Sequence, residues 1–144
     1  MNKKKKDLFY TRYLQKQIYF RKNDVVNALF KLEKYLFENF EFNQDIPTSH
    51  IKQKWIYDTI CKDDYSNEMS SQFKVFSEGK LKKKVLSLIN TFSQIPDLTE
   101  TKNFLNAFKK FNHEFNNLLT LESSNDFKTY IYFQIFFLFY SKQL

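Results

Sequence analysis

Residues able to make or break bonds are few in this chain, and they are scattered. Its 144 residues include two histidines, His50 and His113, and one cysteine, Cys61. No C-x-x-C, H-E-x-x-H or carboxylate cluster at ligand spacing accompanies them, so no metal site is expected. Asp63, Asp64 and Glu68 form a small acidic group. It lacks the glycine and the alternating oxygen ligands of a calcium loop, and it reads as a solvated loop. Nucleophile elbows and phosphate-cradling loops need glycines, and Gly79 is the only one. A Ser/His/Asp arrangement is spatial, but two histidines on helical segments without a glycine elbow are poor material for it. Cys61 cannot form an internal disulfide and reads as a small, half-buried helix residue outside any oxidising compartment. The expectation is a protein that is not an enzyme, with no cofactor and no small-molecule substrate.

The chemistry these residue types do support is recognition of a polyanion. The net charge is +7, and it is concentrated. Lys3, Lys4, Lys5, Lys6, Arg12, Lys16, Arg21 and Lys22 face a single acid, Asp7, in the first 22 residues, while the rest of the chain is balanced. A dense cationic segment attracts phosphates. A second candidate is the stretch Thr48–Lys62. On a helical wheel, Ile51, Trp55, Ile56, Thr59 and Ile60 fall on one side. His50, Gln53, Lys54, Tyr57 and Cys61 fall on the other. The first face is expected to anchor in a core through the only tryptophan. The second is expected to reach base edges and phosphates, Gln pairing with adenine and Lys with guanine or phosphate. A third cluster, Lys80, Lys82, Lys83 and Lys84, opens a predicted helix. Lysines in a first turn oppose the helix dipole, a mismatch that a nearby anion relieves; an exposed, solvated face is the other reading.

The run Ser49-His50-Ile51-Lys52-Gln53-Lys54-Trp55 resembles the third helix of the homeobox-like class, which includes homeodomains and Myb-type domains. In that class this helix carries a buried Trp and enters the major groove, while a basic N-terminal arm lies in the minor groove. Lys3–Lys6 would be the matching arm. The resemblance covers residues 1–62 and departs from the pattern in three ways. The connection over 41–47 is longer than a tight helix-turn-helix turn. The tryptophans of a Myb repeat are missing from the first two helices. Asp58, Asp63 and Asp64 would lie near a DNA backbone. As a whole the chain also resembles the small homeobox-like accessory subunits of ciliate DNA adenine-N6 methyltransferase complexes. That likeness implies a nuclear, non-catalytic DNA-binding subunit that helps a catalytic pair engage DNA.

The elements that must position these groups are helical. Apolar spacing predicts helices over 8–21, from an Asn23 or Asp24 cap to Phe40, over 49–62, and over 67–78 with Gly79 as its stop. Further helices are predicted over 80–93, ended by Pro96, then to Leu119 after a capping-box-like Asp97 and Glu100, and finally over 126–142. The fold class is all-α: a bundle of about seven helices. Residues 1–62 form a basic arm and a three-helix homeobox-like unit, and residues 63–144 a Phe-rich, partner-binding half. The last helix is apolar nearly all round. Its run Tyr130–Tyr140 is shorter than the about 20 residues a membrane span takes, so no membrane contact is expected. With 18 Phe and 9 Tyr, the rings must fill a core, coat an interface, or both.

The expected partners are DNA and the protein subunits of a larger complex, in an intracellular, nuclear setting. Two other readings stay open: a purely structural protein–protein subunit without nucleic-acid contact, and a small helical subunit or inhibitor of an RNA-guided complex.

Overall fold

Asn23 starts the first helix among the described residues. Its side-chain oxygen accepts a hydrogen bond from the Val26 N–H at 3.0 Å, closing one of the donors left open at a helix start. The computed structural model describes residues 23–38, 46–95 and 100–122. These form α1 (Asp24–Glu38), α2 (Ile46–Lys62), α3 (Glu68–Ser71), a 3₁₀ turn (Lys74–Ser77), α4 (Gly79–Ser93) and α5 (Thr101–Glu122). No strand occurs among the described residues, and the fold is all-α. The helices expected over 8–21 and 126–142 lie outside the described residues, and with them the first helix of the homeobox-like unit and the full helix count. No helix among the described residues is long and apolar enough to cross a membrane.

α1 buries Val26, Ala28, Leu29, Phe30, Leu32, Leu36 and Phe37. Such a spread is wider than the single stripe of a surface helix, so α1 is covered on most of its circumference. α2 begins three residues before the expected start at 49, because Pro47 sits inside its first turn. There a missing N–H costs nothing, and the fixed φ suits the helix.

The helix expected over 67–78 is broken in two. Asn67 caps α3 reciprocally: its Oδ1 accepts from the Ser70 N–H at 2.7 Å, while the Ser70 hydroxyl accepts from the Asn67 N–H at 3.2 Å. Ser71 then donates to the Glu68 carbonyl at 2.8 Å. Serines that bond locally compete with helix propagation. The chain tightens into the 3₁₀ turn, where residues three apart eclipse. Phe73 and Phe76 are stacked there, ring centres 6.1 Å apart, and both are fully buried. Gly79 follows the Glu78 C-cap of the 3₁₀ turn at a φ of +36°, the stop position expected of it, and is also the first residue of α4. The turn into α4 therefore uses a conformation that side chains rarely adopt.

The core is a single cluster with residues from α1, α2, the 3₁₀ turn and its cap, α4 and α5. α4 and α5 run antiparallel, with Phe92 against Phe111 (5.2 Å) at one end and Lys84 and Ser87 beside Asn117 and Leu118 at the other. α1 also runs antiparallel to α5: Phe37 lies on Phe108 at 5.8 Å and Phe30 on Phe115 at 6.4 Å. Phe37 touches Phe92, Phe108 and Phe111 at 5.3, 5.8 and 5.9 Å. It thus joins three helices, each ring pair adding about 0.5–1.5 kcal/mol beyond burial.

Phe37→Ala is expected to lower the unfolding free energy by about 3–5 kcal/mol, and Asn67→Ala at the α3 cap by about 1 kcal/mol. Urea denaturation of the two variants measures the difference. Equal losses would contradict the central place of Phe37.

Candidate nucleic-acid interface

α2 presents different groups from those the wheel suggests. Its buried face is Ser49, Gln53, Ile56, Thr59 and Ile60, all 6% exposed or less. Ile51, expected in the core, stands 69% exposed. Trp55, His50 and Tyr57 are half-buried, and Lys54 is exposed. Cys61, expected half-buried, is also exposed. The helix is turned by its contact with α1. The Tyr35 hydroxyl donates to the Lys52 carbonyl at 3.1 Å, and the Tyr35 and Trp55 rings meet at 6.1 Å. This puts Trp55 at the edge of the α1–α2 contact and swings Gln53 inward. Gln53 is 2% exposed, and neither its Nε2 nor its Oε1 has a hydrogen-bond partner among the described residues. It cannot meet a base edge in this position. Of the α2 face expected to contact nucleic acid, Lys54 and Cys61 are exposed, and Lys54 is the one that carries charge.

The lysines that open α4 divide in the same way. Lys82 Nζ is 2.8 Å from Asp63 Oδ2. Asp63 is placed for this by the end of α2, where it takes a left-handed φ of 55°. The Asp64 N–H donates to the Thr59 carbonyl at 3.0 Å and the Asp63 N–H to the Ile60 carbonyl at 3.4 Å. That is the Schellman pattern with Asp where Gly is usual. The acidic group is therefore part of a helix stop that holds Lys82. Lys80, Lys83 and Lys84 sit at i, i+3 and i+4, on one helix face, and all three are exposed. No acidic partner is seen for them among the described residues. At the start of α4, Glu78 makes no side-chain cap. Lys3, Lys4, Lys5, Lys6 and Arg12 lie outside the described residues.

Other titratable groups are dispersed. His113 is exposed, with its Nε2 3.3 Å from the Asn117 amide nitrogen. The Thr91 hydroxyl donates to the Glu114 carboxylate at 3.0 Å. Tyr65 is pushed up to about 12, first by burial and then by the neighbouring Asp63 carboxylate. Among the described residues no group of three His, Cys, Asp or Glu side chains could hold a metal ion.

One feature escaped the sequence reading. An open groove of about 720 Å³ is lined by Lys31 of α1, Trp55 of α2, and Asn67, Glu68, Met69 and Gln72 at α3. Its walls come from three helices separated in the chain, so no local pattern marks it. No protein-family model matches the chain, and comparison with curated proteins and with solved structures finds no match.

Replacing Gln53 with Met, similar in length and apolar, removes an unpaired buried amide. It is expected to raise stability by about 1 kcal/mol and to leave nucleic-acid affinity unchanged. Denaturation and binding titrations on the same variant check both. A loss of affinity at constant stability would return Gln53 to the contact surface.

Proposed function

We propose that the chain is a non-catalytic DNA-binding accessory subunit that grips the phosphate backbone with lysines and does not read bases through α2. The observation that carries this is the face made by Lys80, Lys83 and Lys84. Three exposed ammonium groups share one side of a helix start whose own dipole is also positive. Like charges at this spacing repel, and a phosphate beside them turns that repulsion into attraction. Lys54 adds a further exposed cation, and the first 22 residues add seven net positive charges. Contacts of this kind position a protein on nucleic acid without specifying sequence.

Association with a DNA adenine-N6 methyltransferase and a nuclear location belong to the same proposal, and they rest on the resemblance of residues 1–62 and of the chain as a whole. A protein scaffold built on the Phe-rich second half has less support. Phe104, Phe108, Phe111 and Phe115 of α5 are at most 6% exposed, buried in the chain's own core. Leu105 is the one large apolar side chain of that helix exposed among the described residues.

Binding of the full chain to a labelled duplex, followed by anisotropy over a range of salt, tests the proposal. Lys80→Ala, Lys83→Ala and Lys84→Ala together are expected to weaken binding. They should also make the plot of log affinity against log salt shallower by about 2–3, since each phosphate contact contributes about 0.9. An unchanged slope would overturn the lysine-face reading, and preference for RNA over DNA would redirect it to an RNA-guided complex.

A further inference from the structure

We infer that the groove beside Trp55 seats one unpaired base of a single-stranded nucleic acid. This rests on the nucleic-acid reading above and adds a second kind of contact to it. Trp55 is the only tryptophan, half-buried and half open to the groove. Its ring is steadied by Tyr35, whose hydroxyl is tied to the α2 backbone at Lys52. A steadied indole is a stacking platform that needs little ordering when a flat ring lands on it. Met69, 47% exposed, lines the same groove with a polarizable thioether suited to a ring edge or face. Gln72 supplies an amide that can donate to and accept from a base edge. Lys31 brings an ammonium group to the wall, and Lys52 stands one turn before Trp55 on α2. Glu68 is the one carboxylate among the lining residues and balances Lys31, so the seat rests on the indole, the thioether and the Gln72 amide rather than on net charge.

The groove volume, about 720 Å³, falls within the roughly 300–1,000 Å³ of sites for drug-sized ligands, more than enough to admit one base. A duplex cannot offer a base face to such a notch without extruding it, whereas a single strand offers one freely. An extended acidic peptide would satisfy the lysines but leave the indole and thioether without a flat partner.

Because there is one tryptophan, its emission reports on this groove alone. The full chain is titrated with a short oligothymidylate, with a duplex of equal length and with polyglutamate, each followed by tryptophan emission and by anisotropy of the labelled probe. Oligothymidylate is expected to quench Trp55, and the duplex and polyglutamate are not. Lys31→Glu, at the groove wall and away from the core, should weaken single-strand binding about tenfold and leave duplex binding at the α4 lysines unchanged. Trp55→Phe should retain a weaker platform and intermediate affinity. Single-strand binding without any change in Trp55 emission overturns the base seat and leaves the phosphate reading standing. Equal quenching by polyglutamate overturns it in favour of an acidic protein partner. Failure of both single strand and duplex to bind overturns the seat and the phosphate reading together.

Discussion

Three helices meet on the Phe37 ring, and the positions of the surface lysines depend on that meeting. Phe37 lies flat against Phe108, with an interplanar angle of 11°, and edge-on to Phe92 and Phe111. These contacts set α1 antiparallel to α5 and, through Phe92, fix α4 against both. Once α4 is fixed, its buried side is Val85, Leu88, Ile89 and Phe92. Lys80, Lys83 and Lys84 are then left exposed, Lys84 at the margin of the α4–α5 contact. The charged surface is thus a consequence of ring packing at the far end of the same helix.

α2 joins this core by a less apolar route. Ile56 and Ile60 are its buried anchors, and Gln53 and Ser49 fill the next turns of the same face. Burying an unpaired amide costs about 1–3 kcal/mol. Asn112 on α5 is likewise 2% exposed with no partner for either side-chain amide atom among the described residues, and the same holds for the Asn116 Oδ1. The packing of the rings carries these penalties. The outcome for α2 is that Ile51 stands exposed, while half-buried Trp55 lines a groove together with Met69 and Lys31.

Much of this was legible in the sequence where the apolar pattern is strong. α1, α4 and α5 appear within a few residues of their expected bounds because Leu29, Leu36, Val85, Leu88, Phe108 and Phe115 recur at helical spacing and are buried. Asn23 caps α1 as its side chain suggests. The pattern fails where polar and apolar residues alternate on every side. α2 carries five large apolar residues, Ile46, Ile51, Trp55, Ile56 and Ile60, and no clean stripe, so its rotation is decided by tertiary contacts, Tyr35 on Lys52 and on Trp55, that no local spacing encodes. The break between α3 and the 3₁₀ turn was hidden for a related reason: Met69, Phe73 and Phe76 fit a helical period, but Ser70 and Ser71 satisfy the backbone locally. The pairing of Lys82 with Asp63, 19 residues earlier, is equally non-local.

Under the proposed function, the orientation of α2 separates a base-reading helix from contact through lysines and an aromatic notch. Thiol labelling measures it directly. In a Cys61→Ser background, single cysteines are introduced by Ile51→Cys, Gln53→Cys and Lys54→Cys, and their reaction rates with a water-soluble reagent are compared under native conditions. The account predicts rapid reaction at positions 51 and 54, with protection at 53 that is lost only on unfolding. Labelling at 53 as fast as at 54, with protection at 51, would contradict it.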